Sequence, residues 1–515
     1  MKKTLKGSEK KSLKLLVFSL ILLLLPIYLY GTVQLPLRGE EANRILTAYE
    51  MHYFGDYFNP THLGEPYYLK PPLFNWVIIL FSDLFGWKVE TARLVSVVAS
   101  FLTALLAYLF VKKLLKNEII ALLSAVVLLT LGDLALFYGF LAEIDAFHMF
   151  LFALLTFVAF KLLHEEKIEL AFLAAGFLGG LIFLTKGFPV VYHLPVIVFL
   201  LFWYFSRLRE FLTTKPFWAI VGASIPLGVW LWKVKAPLVY LKALWRESFN
   251  RTPLAEKHGF FKHLLVYPLL NFRQMMPYSL FLPKLEIKIF SSLPRETLLL
   301  AALIGLNYLP YWVSPGGEGR YILIVFPFIA VVLAWGLKNF LLKELNGKLS
   351  LWPAFFLLAL WGICAFLLVL NGDYFSQYSP LWISVMFLPL GFLIFAFSFG
   401  SLRKLITFTV LLIAILKLGY INYYAPWRAD NYPEREIALT FSKILPKHAV
   451  IQYLPQHIDM ALCAYLDLFT RGIVLKKEGN FFITREEGPF PKGEYKILKV
   501  YKGWVLGKKN KTEQG

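Results

Sequence analysis

Two adjacent carboxylates, Glu40 and Glu41, stand directly after a long apolar run, and thirty residues on Lys70 precedes Pro71-Pro72. A proline pushes the residue before it out of the helical region, so Lys70-Pro71-Pro72 must be extended. An ammonium held on such a rigid loop near a membrane surface is suited to gripping a phosphate as a point charge. Asp145, Lys186 and the pair Arg320-Tyr321 also lie where apolar runs end, the last in the Gly-rich turn Ser314-Pro315-Gly316-Gly317-Glu318-Gly319-Arg320-Tyr321. Backbone N–H groups of that turn would help hold an anion. Plainer readings stand beside these. Glu40 and Glu41 would cap a helix beginning at Ala42, and Asp145 would be a solvated cap. Lys186 would only snorkel to the interface, and the Gly-rich turn would hold no ligand.

The elements that must position these residues are membrane helices. Hydrophobic residues make up 58% of the 515 and charged residues only 17%, where a soluble chain runs nearer half and a quarter. A helix needs about 20 apolar residues to span hydrocarbon. Thirteen segments qualify: 13–34, 91–111, 119–138, 144–163, 168–184, 187–205, 214–232, 264–283, 297–313, 320–342, 352–371, 381–399 and 405–424. The first follows a basic start with no small-residue cleavage site and reads as a retained helix. The run Phe74–Gly86 is too short to cross and is expected to lie at the interface.

The net charge of +20 sits in short loops between apolar runs, which suits a membrane and excludes a nucleic-acid partner. Basic residues cluster in the loops 112–116, 161–167, 207–215, 284–295, 343–348 and 403–404. These are expected to be cytoplasmic, with the N-terminus inside and the C-terminus outside. Three pieces then face outward: 35–90, 233–263 and 425–515. The chain therefore divides into a transmembrane domain, 1–424, and an extracytoplasmic α/β domain, 425–515. In that tail a helical pattern at Glu434–Leu445 alternates with β-like runs at Ala449–Tyr453 and Tyr495–Leu506. The loop 233–263 carries seven Lys and Arg against two Glu, as expected of a surface that meets anionic lipid. The two cysteines, Cys364 and Cys463, make no disulfide framework, and no histidine cluster has zinc spacing.

The outer loop combines Glu40-Glu41, Gly55-Asp56-Tyr57, Leu63-Gly64-Glu65-Pro66-Tyr67 and Leu69-Lys70-Pro71-Pro72. This string resembles the first extracytoplasmic loop of the GT-C glycosyltransferases, specifically the lipid A aminoarabinose transferases and related polyprenyl-phosphate-sugar enzymes. The Thr185-Lys186-Gly187 turn and the Ser314–Tyr321 turn before Phe326-Pro327 match that family too. The likeness covers essentially the whole chain, sharpest over 35–100 and weakest in the tail. Departures are Glu40 where the family has Asp, Asn43 with Arg44 beside it where a single basic residue is usual, and Leu69 where an acid stands. That last acid is implicated in metal contact in some members, so no metal site carries over.

The resemblance implies about thirteen spans with an outward α/β tail. It also implies inverting transfer of a sugar from a polyprenyl-phosphate donor to an acceptor, most naturally lipid A or another glycolipid, at the periplasmic face of the inner membrane. Inversion needs a carboxylate to orient or deprotonate the acceptor, and cations to stabilise the departing phosphate. Glu40 and Asp145 match the family's acids. Lys70, Lys186, Arg320 and Tyr321 become the expected phosphate ligands, with Glu41 and Arg44 in support. No cofactor is called for, and a divalent cation stays open. Protein O-mannosylation is the alternative within the class. A polytopic transporter or flippase is the alternative outside it, although transporters place their ionisable residues near the midplane.

Overall fold

Apolar runs bounded by charged or turn-forming residues become helices because, in lipid, every backbone polar group must be satisfied within its own segment. The computed structural model describes residues 7–250, 260–279, 294–344 and 402–510. Its helices are α1 (Gly7–Gln34), α2 (Glu41–Phe54), α3 (Leu73–Phe85), α4 (Val89–Leu114), α5 (Glu118–Leu129), α6 (Ile144–His164), α7 (Ile168–Lys186) and α8 (Val190–Tyr204). They continue as α9 (Phe217–Lys233), α10 (Pro237–Phe249), α11 (Phe260–Gln274), α12 (Pro294–Trp312), α13 (Phe326–Glu344), α14 (Leu402–Asn431), α15 (Glu434–Ser442) and α16 (Met460–Thr470). Six described spans are long and apolar enough to cross a bilayer, or seven if the bent pair α9 and α10 counts as one. The chain is a polytopic α-helical membrane protein. The expected spans 352–371 and 381–399, and the end of 264–283, lie outside the described residues.

Two local differences from the sequence reading have simple causes. The segment 119–138 is not one helix: α5 stops at Leu129, and a π-helical turn covers Leu134–Tyr138. The run Tyr495–Leu506 is not one strand but two, turned at Lys502-Gly503, where both residues have positive φ. The short helix expected near Phe74–Gly86 is α3. At the crossing of α7 and α9 backbones nearly touch, because a Cβ on Gly176 would sit 1.9 Å from the Ala219 carbonyl oxygen. A Cβ on Gly222 would sit 2.1 Å from that of Leu173. Small residues allow such close approach where lipid supplies no hydrophobic driving force.

After α14 the chain builds a five-stranded mixed sheet. Its strands are β3 (Val450–Tyr453), β4 (Ile473–Leu475), β5 (Phe481–Arg485), β6 (Tyr495–Tyr501) and β7 (Trp504–Lys509), in the order β4-β3-β5-β7-β6. The loop between α2 and α3 holds a small hairpin, β1 (Thr61–His62) and β2 (Glu65–Pro66). The α/β unit is tied to this loop: Lys476 N–H donates to the Leu63 carbonyl at 3.0 Å, and Lys477 pairs with Glu65 at 2.7 Å. The Tyr465 hydroxyl accepts from Leu37 N–H at 2.8 Å.

The start of α2 is fixed by a fully buried ion pair. Arg93 Nε and Nη2 donate to the two carboxylate oxygens of Glu41, each at 2.7 Å, and both side chains have no exposure. Arg93 also donates to the carbonyls of Thr32, Leu35 and Pro36, while Glu41 accepts from Ala142 N–H at 2.8 Å and Arg38 N–H at 3.2 Å. Removing one partner of such a pair leaves an uncompensated buried charge, a loss of roughly 3–5 kcal/mol. We therefore expect Arg93→Met to melt well below wild type in detergent. The double variant Glu41→Gln/Arg93→Met should lose less than the sum of the singles, and strictly additive losses would contradict the pairing.

Candidate functional site

Where the ends of α6, α7, α8, α10 and α12 meet the 35–90 loop, a cavity of about 740 Å³ opens. The bend at Lys70-Pro71-Pro72, in which Pro72 is already helical as the N-cap of α3 rather than extended, brings Lys70 to it, the start of α2 brings Glu40, and the first turn of α6 brings Asp145. Lys186 comes from the last turn of α7, and Arg320-Tyr321 from a 3-10 turn (Gly319–Val325) that leads into α13. Six of the residues singled out by sequence, with Arg44, thus line one cavity. Glu41 does not: it faces the other way, into the Arg93 pair.

Glu40 caps α2 by position, yet its side chain makes no capping hydrogen bond, so the plain helix-cap reading fails for its carboxylate. Instead Oε2 accepts from Arg44 Nη2 at 2.8 Å and from Asn43 Nδ2 at 3.2 Å. Burial pushes the Glu40 carboxyl up, but Arg44, Asn43, Arg320 and Lys70 together hold it below the ordinary range. Arg44, itself buried, also reaches the Tyr67 hydroxyl at 3.3 Å. Tyr67 stacks on His62, their ring centroids 3.8 Å apart. Burial, then the nearby Arg44, lowers His62 to about 4, so this imidazole stays neutral at ordinary pH.

Every cation in the cavity already has a carboxylate. Lys70 Nζ pairs with Glu247 of α10 at 3.1 Å, and Lys186 hydrogen-bonds Asp145. Arg320 Nη1 donates to Glu143 at 2.8 Å, Nη2 to Glu318 at 2.7 Å, and Nε lies 4.0 Å from Asp145. Lys186 also sits 4.9 Å from the centre of the Tyr321 ring. Among the lining residues, Arg44, Lys70, Lys186 and Arg320 face Glu40, Glu143, Asp145 and Glu247. An entering anion must therefore take a cation from a carboxylate. The Lys70–Glu247 pair is partly solvated, its side chains 20% and 26% exposed. Phe188, Tyr192, Trp245 and Phe249 give part of the wall an apolar lining.

Glu143, Glu247 and His62 were not picked out by sequence reasoning, and Tyr67 only as part of the loop motif, with no role. Glu143 stands two residues before Asp145, and Glu247 is one of two acids in an otherwise basic loop, but neither spacing tells which cation an acid will meet. In that loop Lys235 pairs with Asp56 at 2.8 Å, and His263 bonds the Tyr311 carbonyl at 3.0 Å. His258 lies outside the described residues. No three His, Cys, Asp or Glu side chains come together as a metal set among the described residues.

Residues 69–232 match the family model of the dolichyl-phosphate-mannose-protein mannosyltransferases. The undecaprenyl phosphate-α-4-amino-4-deoxy-L-arabinose arabinosyl transferase of Aeromonas salmonicida is 30% identical over 350 residues, 64% of this chain and 61% of that one. The enzyme of the same name from Pseudomonas savastanoi pv. phaseolicola is 29% identical over 243 residues, 46% and 44% of the two chains. These matches span less than two thirds of the relatives' own length. The crystal structure of ArnT from Cupriavidus metallidurans bound to undecaprenyl phosphate superimposes with a TM-score of 0.71, covering 95% of this chain and 97% of that one at 15% identity. Its apo form gives 0.67. At that identity the likeness establishes the fold.

Glu143 offers a direct check on this geometry. Burial pushes its carboxyl up to about 7; Arg320 opposes the rise, and Asp145 and Glu41 add to it. A group raised in this way is protonated below that pH. Infrared difference spectra should show a buried COOH band growing as pH falls through about 7 and missing in Glu143→Gln. Arg320→Gln, which removes the opposing charge, should move the band to higher pH. A band that shifts downward would contradict the Arg320–Glu143 contact.

Proposed function

We propose, from the premise that this chain has the GT-C transferase fold and is related in sequence to the undecaprenyl-phosphate aminoarabinose transferases, that it is an inverting glycosyltransferase. It moves a sugar from a polyprenyl-phosphate donor to an envelope acceptor, with lipid A the acceptor the family resemblance implies. The observation that carries this reading is the cavity in which Glu40 faces Lys70, Lys186 and Arg320 across a partly apolar wall. Such a site suits a molecule that is both lipid and phosphate.

In this reading the donor phosphate displaces Glu247 from Lys70 and engages Arg320 and Lys186, with Tyr321 beside them. The acceptor oxygen, oriented or deprotonated by Glu40, attacks the anomeric carbon from the face opposite the phosphate. The carbon–oxygen bond to the phosphate breaks, and its electron pair leaves with the polyprenyl phosphate. The cations take up the charge that develops on the departing oxygen. Asp145 holds Lys186, and Glu143 holds Arg320, until the donor arrives. The polyprenyl-phosphate donor is a diester with no titration near neutrality. Protonation of Glu143 would therefore free Arg320 as pH falls, and tighten donor binding.

Transfer from an undecaprenyl-phosphate-linked sugar should be followed in a reconstituted assay. Glu40→Gln should lower kcat by about 10²–10⁴-fold, the range for removing a general base. Lys70→Ala should raise the donor KM by about tenfold, the equivalent of one charge-assisted hydrogen bond. Full activity in both variants would refute the assignment. Mass spectrometry of lipid A from cells lacking the gene names the sugar and the acceptor. A labelled peptide with lipid acceptors ignored would instead indicate protein mannosylation, the activity for which the family model matching 69–232 is named.

The site opens at the end of the bundle opposite the basic loops, where Lys14 pairs with Glu118, Lys167 with Glu165 and Arg207 with Glu166. This supports an inner-membrane orientation with the N-terminus cytoplasmic and the site and C-terminus periplasmic. Alkaline phosphatase fused after residue 515 should then be active in cells, whereas the same fusion in the 207–215 loop should be inactive. The reverse pattern would overturn the orientation.

A further inference from the structure

A second cavity, of about 450 Å³, lies between the start of α2 and the C-terminal α/β unit. Its charge is not balanced as the first cavity's is. Arg38, Arg428 and Arg485 line it together with His457 and a single carboxylate, Asp459. Asp459 is engaged as the N-cap of α16, accepting from Leu462 N–H at 3.0 Å. Each guanidinium is held by neutral groups. Arg38 Nη1 donates to the Tyr420 hydroxyl at 2.9 Å and lies 5.1 Å from the Phe137 ring centre. Arg428 donates through Nε and Nη2 to the Leu37 carbonyl at 3.1 and 2.8 Å, and Arg485 lies 4.0 Å from the Trp504 ring centre. Among the described residues, none of the three has a carboxylate oxygen within 4.0 Å. Glu143 and Glu41 act on Arg38, and Glu434 on Arg428 and Arg485, only from beyond contact distance. Three cations brought to one polar cavity with no carboxylate in contact still repel one another, and an anion among them would relieve it.

The two cavities share a wall made by Asn43 and Met460. Asn43 Nδ2 donates to Glu40, while its Oδ1 is buried with no hydrogen-bond partner among the described residues. A buried carbonyl oxygen left unpaired is costly, and a donor arriving between the cavities would satisfy it.

We propose that this second cavity anchors an anionic group of the acceptor, a phosphate on a glycolipid, through Arg485, Arg428 and Arg38. The acceptor's reacting oxygen then passes Asn43 to reach Glu40. The proposal rests on the transferase reading above and gives the C-terminal unit a share in substrate binding, because Arg485 ends its strand β5. Donor and acceptor phosphates would then lie on opposite sides of Glu40, each with its own set of cations. Separate seats keep two anions apart while their sugars meet.

The test uses the full-length protein, an undecaprenyl-phosphate-linked sugar and a phosphorylated glucosamine-disaccharide lipid. Arg485→Gln should raise the acceptor KM by about tenfold, one charge-assisted hydrogen bond, and leave the donor KM within about twofold. Arg485→Lys, which keeps the charge, should recover most of the loss. Inorganic phosphate should compete with the acceptor in wild type and less well in Arg485→Gln, which tells a bare phosphate seat from one that also needs the lipid. Thermal melting of each variant identifies any loss that is only misfolding. An unchanged acceptor KM in folded Arg485→Gln and Arg428→Gln, or an equal rise in the donor KM, would overturn the proposal. If wild type transfers to no acceptor, the transferase reading has failed. Binding of the phosphorylated lipid to wild type and Arg485→Gln, measured without donor, then still decides the cavity.

Discussion

Most of what surrounds the site hangs on one buried pair, Glu41 with Arg93. A bidentate pair with no exposure survives in a dry interior only when its remaining donors and acceptors are also satisfied. Here they are met by backbone from two separate stretches: the carbonyls of 32, 35 and 36 with the N–H of Arg38, and the N–H of Ala142. The pair therefore sets the end of α1, the start of α2 and the approach to α6 relative to α4. Glu40 precedes one member of this knot, and Glu143 follows Ala142 directly. Two of the carboxylates that line the cavity, Glu40 and Glu143, are placed by charges that never enter it.

A second constraint follows from burying charge. Cations brought together to meet a phosphate must be compensated before it arrives, since an unpaired buried charge is far costlier than a paired one. The first cavity meets this by setting four carboxylates against four cations. The acids around Lys70, Lys186 and Arg320 then serve two ends, stabilising the fold and yielding to the ligand. The junctional cavity, partly open and polar, satisfies Arg38, Arg428 and Arg485 through a hydroxyl, a carbonyl and aromatic faces instead. The different compensation is what separates the two.

The C-terminal sheet is coupled to the loop it covers. Glu50 of α2 accepts from the Leu63 and Gly64 N–H groups and from the Thr61 hydroxyl, and so shapes the β1–β2 turn. The edge next to β4 binds the same hairpin through Lys476 and Lys477. His62 of that hairpin stacks on Tyr67, which in turn touches Arg44 beside Glu40. A continuous run of contacts thus links the sheet to the cavity.

The sequence by itself determined the features that depend on short-range chemistry. Most of the described apolar runs became helices, and the tail's alternating runs became strands around a helix. The residue types at Glu40, Lys70, Asp145, Lys186 and Arg320 were legible because charges at the ends of apolar runs are conspicuous, and the family resemblance singled them out. What only the tertiary structure decided is who meets whom. Glu247 on Lys70 and Glu143 on Arg320 join residues 177 positions apart, and Arg485 lines one cavity with Arg38 from 447 positions away. No local period records such pairings, because they follow from how helices pack across the bundle. Glu41 and Glu40 are neighbours in the chain, yet one faces a buried arginine and the other a cavity. Only the packing of α4 against that turn separates them.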